Sequence, residues 1–237
     1  MSRQGRNQHS KLYNALLPIA LVLGGLIIAA LIVTWITNSS RADVADADSG
    51  EINAEVIADF DAEYDALGIA VGADDAPVTI REFADYQCPS CRAFAPTAKR
   101  IRDELVTAGK VRFVFFDFPL DMHEHAFDAA VAARCAGYQD SYWPYQEKLF
   151  AQQAKWAEAS DPVSNFLDIA VETGLDTSEF KQCMAGDKAS EAVADSRELA
   201  VKLGIRATPT IMVDAHVFTG NTGYDRIREL VDSSDDD

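Results

Sequence analysis

Residues 77–94 read PVTIREFADYQCPSCRAF, and the fold turns on this stretch. Its first ten residues alternate, with β-branched and aromatic side chains, and predict a strand. Cys88 and Cys91 follow, three positions apart. From Cys88 to about Ala108 the pattern predicts a helix ending at Gly109, with Pro96 expected to kink it. The cysteine pair thus stands where a strand hands over to a helix. Unpaired backbone N–H groups and the macrodipole favour an anion there, so Cys88 should ionise more easily than a free thiol. Pro89 fits the first turn, where its missing N–H is no loss, and Ser90 leaves the site open and uncharged. Cys91, one turn along, is placed to attack a mixed disulfide held on Cys88.

Two other uses of C-x-x-C compete. A zinc site needs a second pair of ligands at close spacing, and neither Cys135 nor Cys183 has a cysteine or histidine three or four residues away. A purely structural bridge across two residues would constrain few unfolded conformations. Redox chemistry is the reading that remains. His123 and His125, two apart at a helix start, fall on different faces and make poor chelators. No metal and no cofactor is expected.

Two features support the redox reading. Glu82 lies six positions before Cys88, on the strand face of Val78, Ile80 and Ala84. An acid on an apolar face is expensive to bury and could carry protons for the cysteines, although a strand-end acid reaching water is the plainer alternative. Asp85 is the other candidate for that role. Farther on, Pro209 follows Thr208 at the start of a predicted strand, a context in which a cis bond is a marked feature. Packed against the cysteines, the Thr208 backbone could pair with an extended substrate segment.

The remaining chain supplies context. Acids outnumber bases 38 to 21, a net charge of -17 that repels nucleic acid and anionic headgroups. From Ala15 to Ile36 there are 22 residues without a charge, apolar all round and long enough to cross a bilayer. Arg3, Arg6 and Lys11 precede them and acids dominate after them, so the positive-inside rule puts the N-terminus in the cytoplasm and residues from about 40 onward outside it. A cleaved signal peptide is the competing reading, against which the run is long. Either way the four cysteines face an oxidising compartment.

The expected organisation is a cytoplasmic N-terminus (1–14), a transmembrane anchor (15–37), an acidic tether (38–72) with a short helix within Glu51–Leu67, a strand–helix–strand unit (73–121), a helical insertion (122–203), a hairpin and closing helix (204–232), and an acidic tail (233–237). KVRFVFFDF, residues 110–118, is a nearly continuous apolar run and predicts a strand buried on both faces. The helical region is expected to break near Asp140, Ser160–Pro162, Gly174 and Gly186. Tyr142, Trp143, Tyr145, Phe150 and Trp156 are expected in its core. The fold class is α/β with an all-helical insertion, preceded by one transmembrane helix.

Four blocks in order resemble one family. APVTIREFADYQCPSC resembles the opening strand and active site of the thioredoxin-fold, DsbA-like thiol–disulfide oxidoreductases in their membrane-anchored form. PLDMHEHAFDAAVAARCAGYQDSYWPYQEKLF and GLDTSEFKQCM resemble parts of that family's helical insertion, and GIRATPTIMVD its cis-proline loop. The resemblance covers about residues 70–230. It implies that Cys88 is the exposed nucleophile, Cys91 its buried partner, Glu82 the buried acid and Thr208–Pro209 the cis dipeptide. It also implies a disulfide between Cys135 and Cys183, which the even cysteine count of an exported protein supports; an electron relay to Cys88–Cys91 is the sharper alternative role for that pair. His123 matches a packing histidine of the insertion. Ser90 departs from the best-known members, which often carry a histidine there, and this puts the oxidising strength in question.

The implied function is formation of disulfides in exported cysteine-containing proteins, by a monomer that a membrane quinone-linked partner re-oxidises. The alternatives are a membrane-fed reductase or isomerase of the same fold, and a non-enzymatic protein-binding module whose cysteines are only structural. The short tether counts against an isomerase, which usually carries a dimerisation domain.

Overall fold

The computed structural model describes residues 62–234. The expected cytoplasmic segment, membrane span and most of the tether lie outside the described residues. Among the described residues no helix is long and apolar enough to cross a membrane.

A 3₁₀ helix, Ala62–Leu67, leads into strand β1 (Ile69–Val71). Strand β2 (Val78–Ala84), helix α1 (Pro89–Ile101) and strand β3 (Val111–Asp117) follow. Six helices come next: α2 (Ala126–Gly137), α3 (Tyr142–Ala151), α4 (Gln153–Trp156), α5 (Val163–Glu172), α6 (Thr177–Met184) and α7 (Asp187–Lys202). A hairpin of β4 (Thr210–Val213) and β5 (His216–Thr219) and helix α8 (Tyr224–Ser234) complete the fold. The sheet order is β1-β3-β2-β4-β5. β2 runs parallel to β3 and antiparallel to β4, while β1 and β5 form antiparallel edges.

The sheet is buried on both faces, as the apolar run of β3 predicts. Ile80, Phe113, Phe115, Ile211 and Val213 share one cluster with Phe94, Ala98 and Ile101 of α1 and Ile227 and Val231 of α8. Phe83, Val114, Phe116 and Met212 share the other with Leu199, Ala200 and Leu203 at the end of α7, and with Tyr64 and Leu67. The Phe83 and Phe116 rings stack at 4.5 Å, a contact worth about 0.5–1.5 kcal/mol beyond its area.

Three boundaries differ from the sequence reading. The tether ends before residue 72, because the 3₁₀ helix packs on the sheet and β1 pairs Ile69 with Phe115 and Val71 with Phe113. The insertion cannot be cut at residue 203, since the last turns of α7 cover the second face of the sheet. The tail starts later, because Ser233 and Ser234 close α8. Helix α1 runs through Pro96 and departs from regular geometry farther on, in a π-helical turn at Arg102–Val106. Within the insertion the four expected breaks are present, Asp140 taking φ 58°, Gly174 φ 75°, and non-helical residues separating α4 from α5 and α6 from α7, while a further break at Gln152, between α3 and α4, was not expected.

Candidate active site

Cys88 caps α1 in an extended conformation, φ -69° and ψ 124°, and Pro89 opens the helix. The parallel pairing of β2 with β3 fixes where β2 ends, so the turn after Ala84 sets the cysteines at the sheet's C-terminal end. Cys88 and Cys91 are free thiols, Cys88 with 8% of its surface exposed and Cys91 with none. The Thr208–Pro209 peptide is cis, and the Cys88 thiol lies 3.4 Å from the Thr208 carbonyl. Residues 120 positions apart thus meet at one sulfur.

The two thiols differ sharply. A hydrogen bond from Cys91 lowers the Cys88 thiol to about 5, against its partial burial, with help from Thr208 and from the backbone at Cys91 and Ser90. Burial and the neighbouring Cys88 sulfur push the Cys91 thiol far up. One sulfur is therefore a thiolate at neutral pH and the other keeps its proton.

Glu82 faces the same cluster as Ile80, between Phe115 on β3 and Ile211 on β4. It is 1% exposed, and its Oε1 has no hydrogen-bond partner. Burial raises its carboxyl to about 8, with the Arg102 guanidinium opposing. When ionised, it adds to the forces holding the Cys91 proton. The alternative of a strand-end acid in water does not describe it.

Asp85 has a different position. Its Oδ1 accepts from the Gln87 and Cys88 amides at 2.7 and 3.1 Å. Its Oδ2 accepts from the Leu120 amide at 2.8 Å and meets His123 Nδ1 at 2.7 Å. A carboxyl so occupied holds the active-site turn in place rather than carrying protons across it. His125 turns elsewhere, its Nε2 lying 2.8 Å from the Ala159 carbonyl.

Sequence reasoning missed two glutamines. Gln153 Nε2 donates to the Tyr86 and Cys88 carbonyls at 2.7 and 3.0 Å. Gln87 Nε2 donates to the Ala157 carbonyl at 2.8 Å and its Oε1 accepts from the His125 amide at 2.7 Å. Both lace the cysteine turn to the insertion. A polar residue beside Trp156 in an aromatic-rich stretch was the available signal for Gln153. Within the insertion, Cys135 of α2 and Cys183 of α6 are disulfide-bonded. Among the described residues no group of three or more histidines, cysteines or acids could hold a metal ion.

The sequence pattern of the family described as Thioredoxin matches residues 65–233. The "Probable disulfide bond formation protein D" of Bacillus anthracis is 30% identical over 169 residues, covering 69% of this chain and 76% of that protein. The chain belongs to the DsbA-like thiol–disulfide oxidoreductases of the thioredoxin family. The crystal structure of oxidised BdbD from Bacillus subtilis matches with a TM-score of 0.63 at 30% identity, over 71% of this chain and 93% of that one. The alpha-DsbA1 of Wolbachia pipientis shares the fold, with a TM-score of 0.62 at 24% identity over 70% of this chain and 89% of that one. As a DsbA-like oxidoreductase the chain is a protein-disulfide oxidoreductase, and the thioredoxin-like fold with a helical insertion accounts for its architecture.

Proposed function

We propose that the protein forms disulfides in exported proteins outside the cytoplasm, by exchange through Cys88–Cys91, with residues 15–37 anchoring it in the membrane. A substrate thiolate attacks Cys88 Sγ in the oxidised enzyme. The Cys88–Cys91 bond breaks as the mixed disulfide forms, and Cys91 leaves into a buried site where its thiolate is poorly tolerated. Glu82, a carboxylic acid at neutral pH, supplies the proton. A second substrate thiolate attacks the substrate sulfur of the mixed disulfide and expels Cys88 as a stabilised thiolate. Two electrons pass to the enzyme, the substrate keeps the disulfide, and a membrane partner that delivers electrons to quinone restores Cys88–Cys91. The extended cysteine segment of the substrate would lie against Thr208–Pro209. The enzyme works as a monomer.

The observation that carries the oxidase direction is the depressed Cys88 thiol. Stabilising that thiolate stabilises the dithiol form, and an enzyme whose reduced form is stabilised is an oxidant. Ser90 brings no charge, but Cys91, Thr208 and the backbone at the start of α1 do that work.

The test is the reduction potential of Cys88–Cys91 in the full-length protein, by equilibration with glutathione. A value between about -120 and -180 mV is expected for a donor of disulfides. A value near about -270 mV would reverse the direction and make the enzyme a reductase. Cys88→Ser is expected to abolish exchange; undiminished activity would overturn the catalytic reading.

A further inference from the structure

The crossover peptide between β3 and α2 brings one ionisable side chain to the cysteine turn. His123 is 17% exposed, and its Nδ1 meets Asp85 Oδ2 at 2.7 Å. The Asp85 side chain is fully buried there. Four donors converge on Asp85 from two directions: Gln87 and Cys88 on the cysteine side, Leu120 and His123 on the crossover side. The Asp85 amide in turn points at Cys91 Sγ, 3.4 Å away. Asp85 is therefore bonded to the backbone or sulfur of both reacting residues.

We propose that Asp85 and His123 form a charge-coupled positioning pair for thiol–disulfide exchange, Asp85 clamping the Cys88–Cys91 turn to the crossover while His123 offsets its negative charge. This rests on the reading of Cys88 as the nucleophile. Asp85 Oδ1 holds the Cys88 amide at 3.1 Å, so a buried negative charge sits within one residue's span of the nucleophilic sulfur. Uncompensated, that charge opposes the Cys88 thiolate, since like charges in a low-dielectric site disfavour ionisation. His123 relieves the opposition through its hydrogen bond to Asp85 Oδ2, which draws the carboxylate's charge away from the cysteine side. A side chain 35 positions beyond Cys88 in the sequence thus acts on the cysteine turn from the crossover side, through Asp85.

The other ionisable groups around the pair are accounted for. Cys88 and Cys91 face Asp85 from the start of α1, and Glu82 lies behind Cys91 on the sheet. On the crossover, Asp121 pairs with Arg197 of α7 at 2.6 Å, Glu124 is exposed, and His125 binds the Ala159 carbonyl.

The experiment measures Cys88 thiolate absorbance against pH and the glutathione equilibrium in the full-length protein carrying Asp85→Asn, His123→Asn, or both. Asp85→Asn removes the charge and keeps an acceptor, so Cys88 should ionise at lower pH and the enzyme become more oxidising. His123→Asn leaves the carboxylate with only its three amide donors, so both readouts should move the opposite way. Each shift is expected to change the glutathione equilibrium constant by about three- to tenfold, with the double variant returning toward wild type. A purely structural role would move both single variants in the same direction, and that outcome, or no movement, overturns the proposal. If Asp85→Asn fails to fold, the sign of the His123→Asn shift decides alone, because a half-buried histidine tolerates the exchange. A wild-type protein that does not equilibrate with glutathione would instead overturn the reading of Cys88.

Discussion

Glu82 holds a carboxyl between Phe115 and Ile211 with one oxygen unpartnered, so its burial works against the fold it serves. Folding raises this group from 4.5 to about 8. The unfolded chain gains by ionising it from pH 4.5 upward, while the folded protein does not until about pH 8, so its contribution to stability falls across that window. Glu82→Leu should therefore stabilise the protein by about 2–3 kcal/mol at pH 7 and slow exchange, as measured by urea unfolding and by turnover. Destabilisation at pH 7 would contradict the burial cost. Cys88 has the opposite sign. Its thiol is lowered from 9.0 to about 5, so the stabilisation of the reduced form is complete above pH 9 and lost as pH falls through about 5. The difference in stability between reduced and oxidised protein should shrink across that range in paired melts, and a flat difference would refute the thiolate. Glu82 was legible in the sequence because strand alternation put an acid on an apolar face. The role of Asp85 was not, because its decisive partners lie 35 and 38 positions later.

At the scale of elements, the strand–helix handover at Cys88, the double-sided β3 and the hairpin around Asp214 all followed from local pattern. β1 did not. Three residues are too few to show a period, and the acidic surroundings of GIAV hid it. Gly72, just after β1, reveals the constraint: it takes φ 107°, and a Cβ there would come within 2.6 Å of the Val111 carbonyl. Gly72→Ala should cost about 2 kcal/mol or more in denaturant unfolding, from left-handed strain and the clash together. An unchanged midpoint would mean that β1 is dispensable. The far reach of α7 was equally hidden. Its 16 residues present one face to the insertion and, at Leu199 and Ala200 with Leu203 just past its end, another to the sheet, a division that periodicity alone does not make.

In the whole molecule, a few buried polar contacts join the sheet to the insertion. Arg134 of α2 pairs with Asp117 at the end of β3 at 2.6 Å and donates to the Leu67 carbonyl at 2.8 Å. Above them the Tyr86 and Tyr142 hydroxyls meet at 2.9 Å. Asp117→Ala should cost about 3–5 kcal/mol, because it strands a buried guanidinium; a loss under about 1 kcal/mol would show the pair to be idle. The Cys135–Cys183 bridge closes a separation of 48 residues, and its removal by a double alanine variant should cost about 4 kcal/mol while leaving the Cys88–Cys91 glutathione equilibrium unchanged. A shift in that equilibrium would instead support an electron relay between the two pairs.

The sheet ends in edges of three and four residues, β1 and β5. On the function proposed here, the enzyme's clients are chains that have not finished folding, rich in extended segments seeking a partner for their own backbones. A long bare edge would recruit such segments indiscriminately and seed co-aggregation. Edges this brief offer too few consecutive hydrogen bonds to hold a stray strand, so the protein can handle sticky clients repeatedly and release each one.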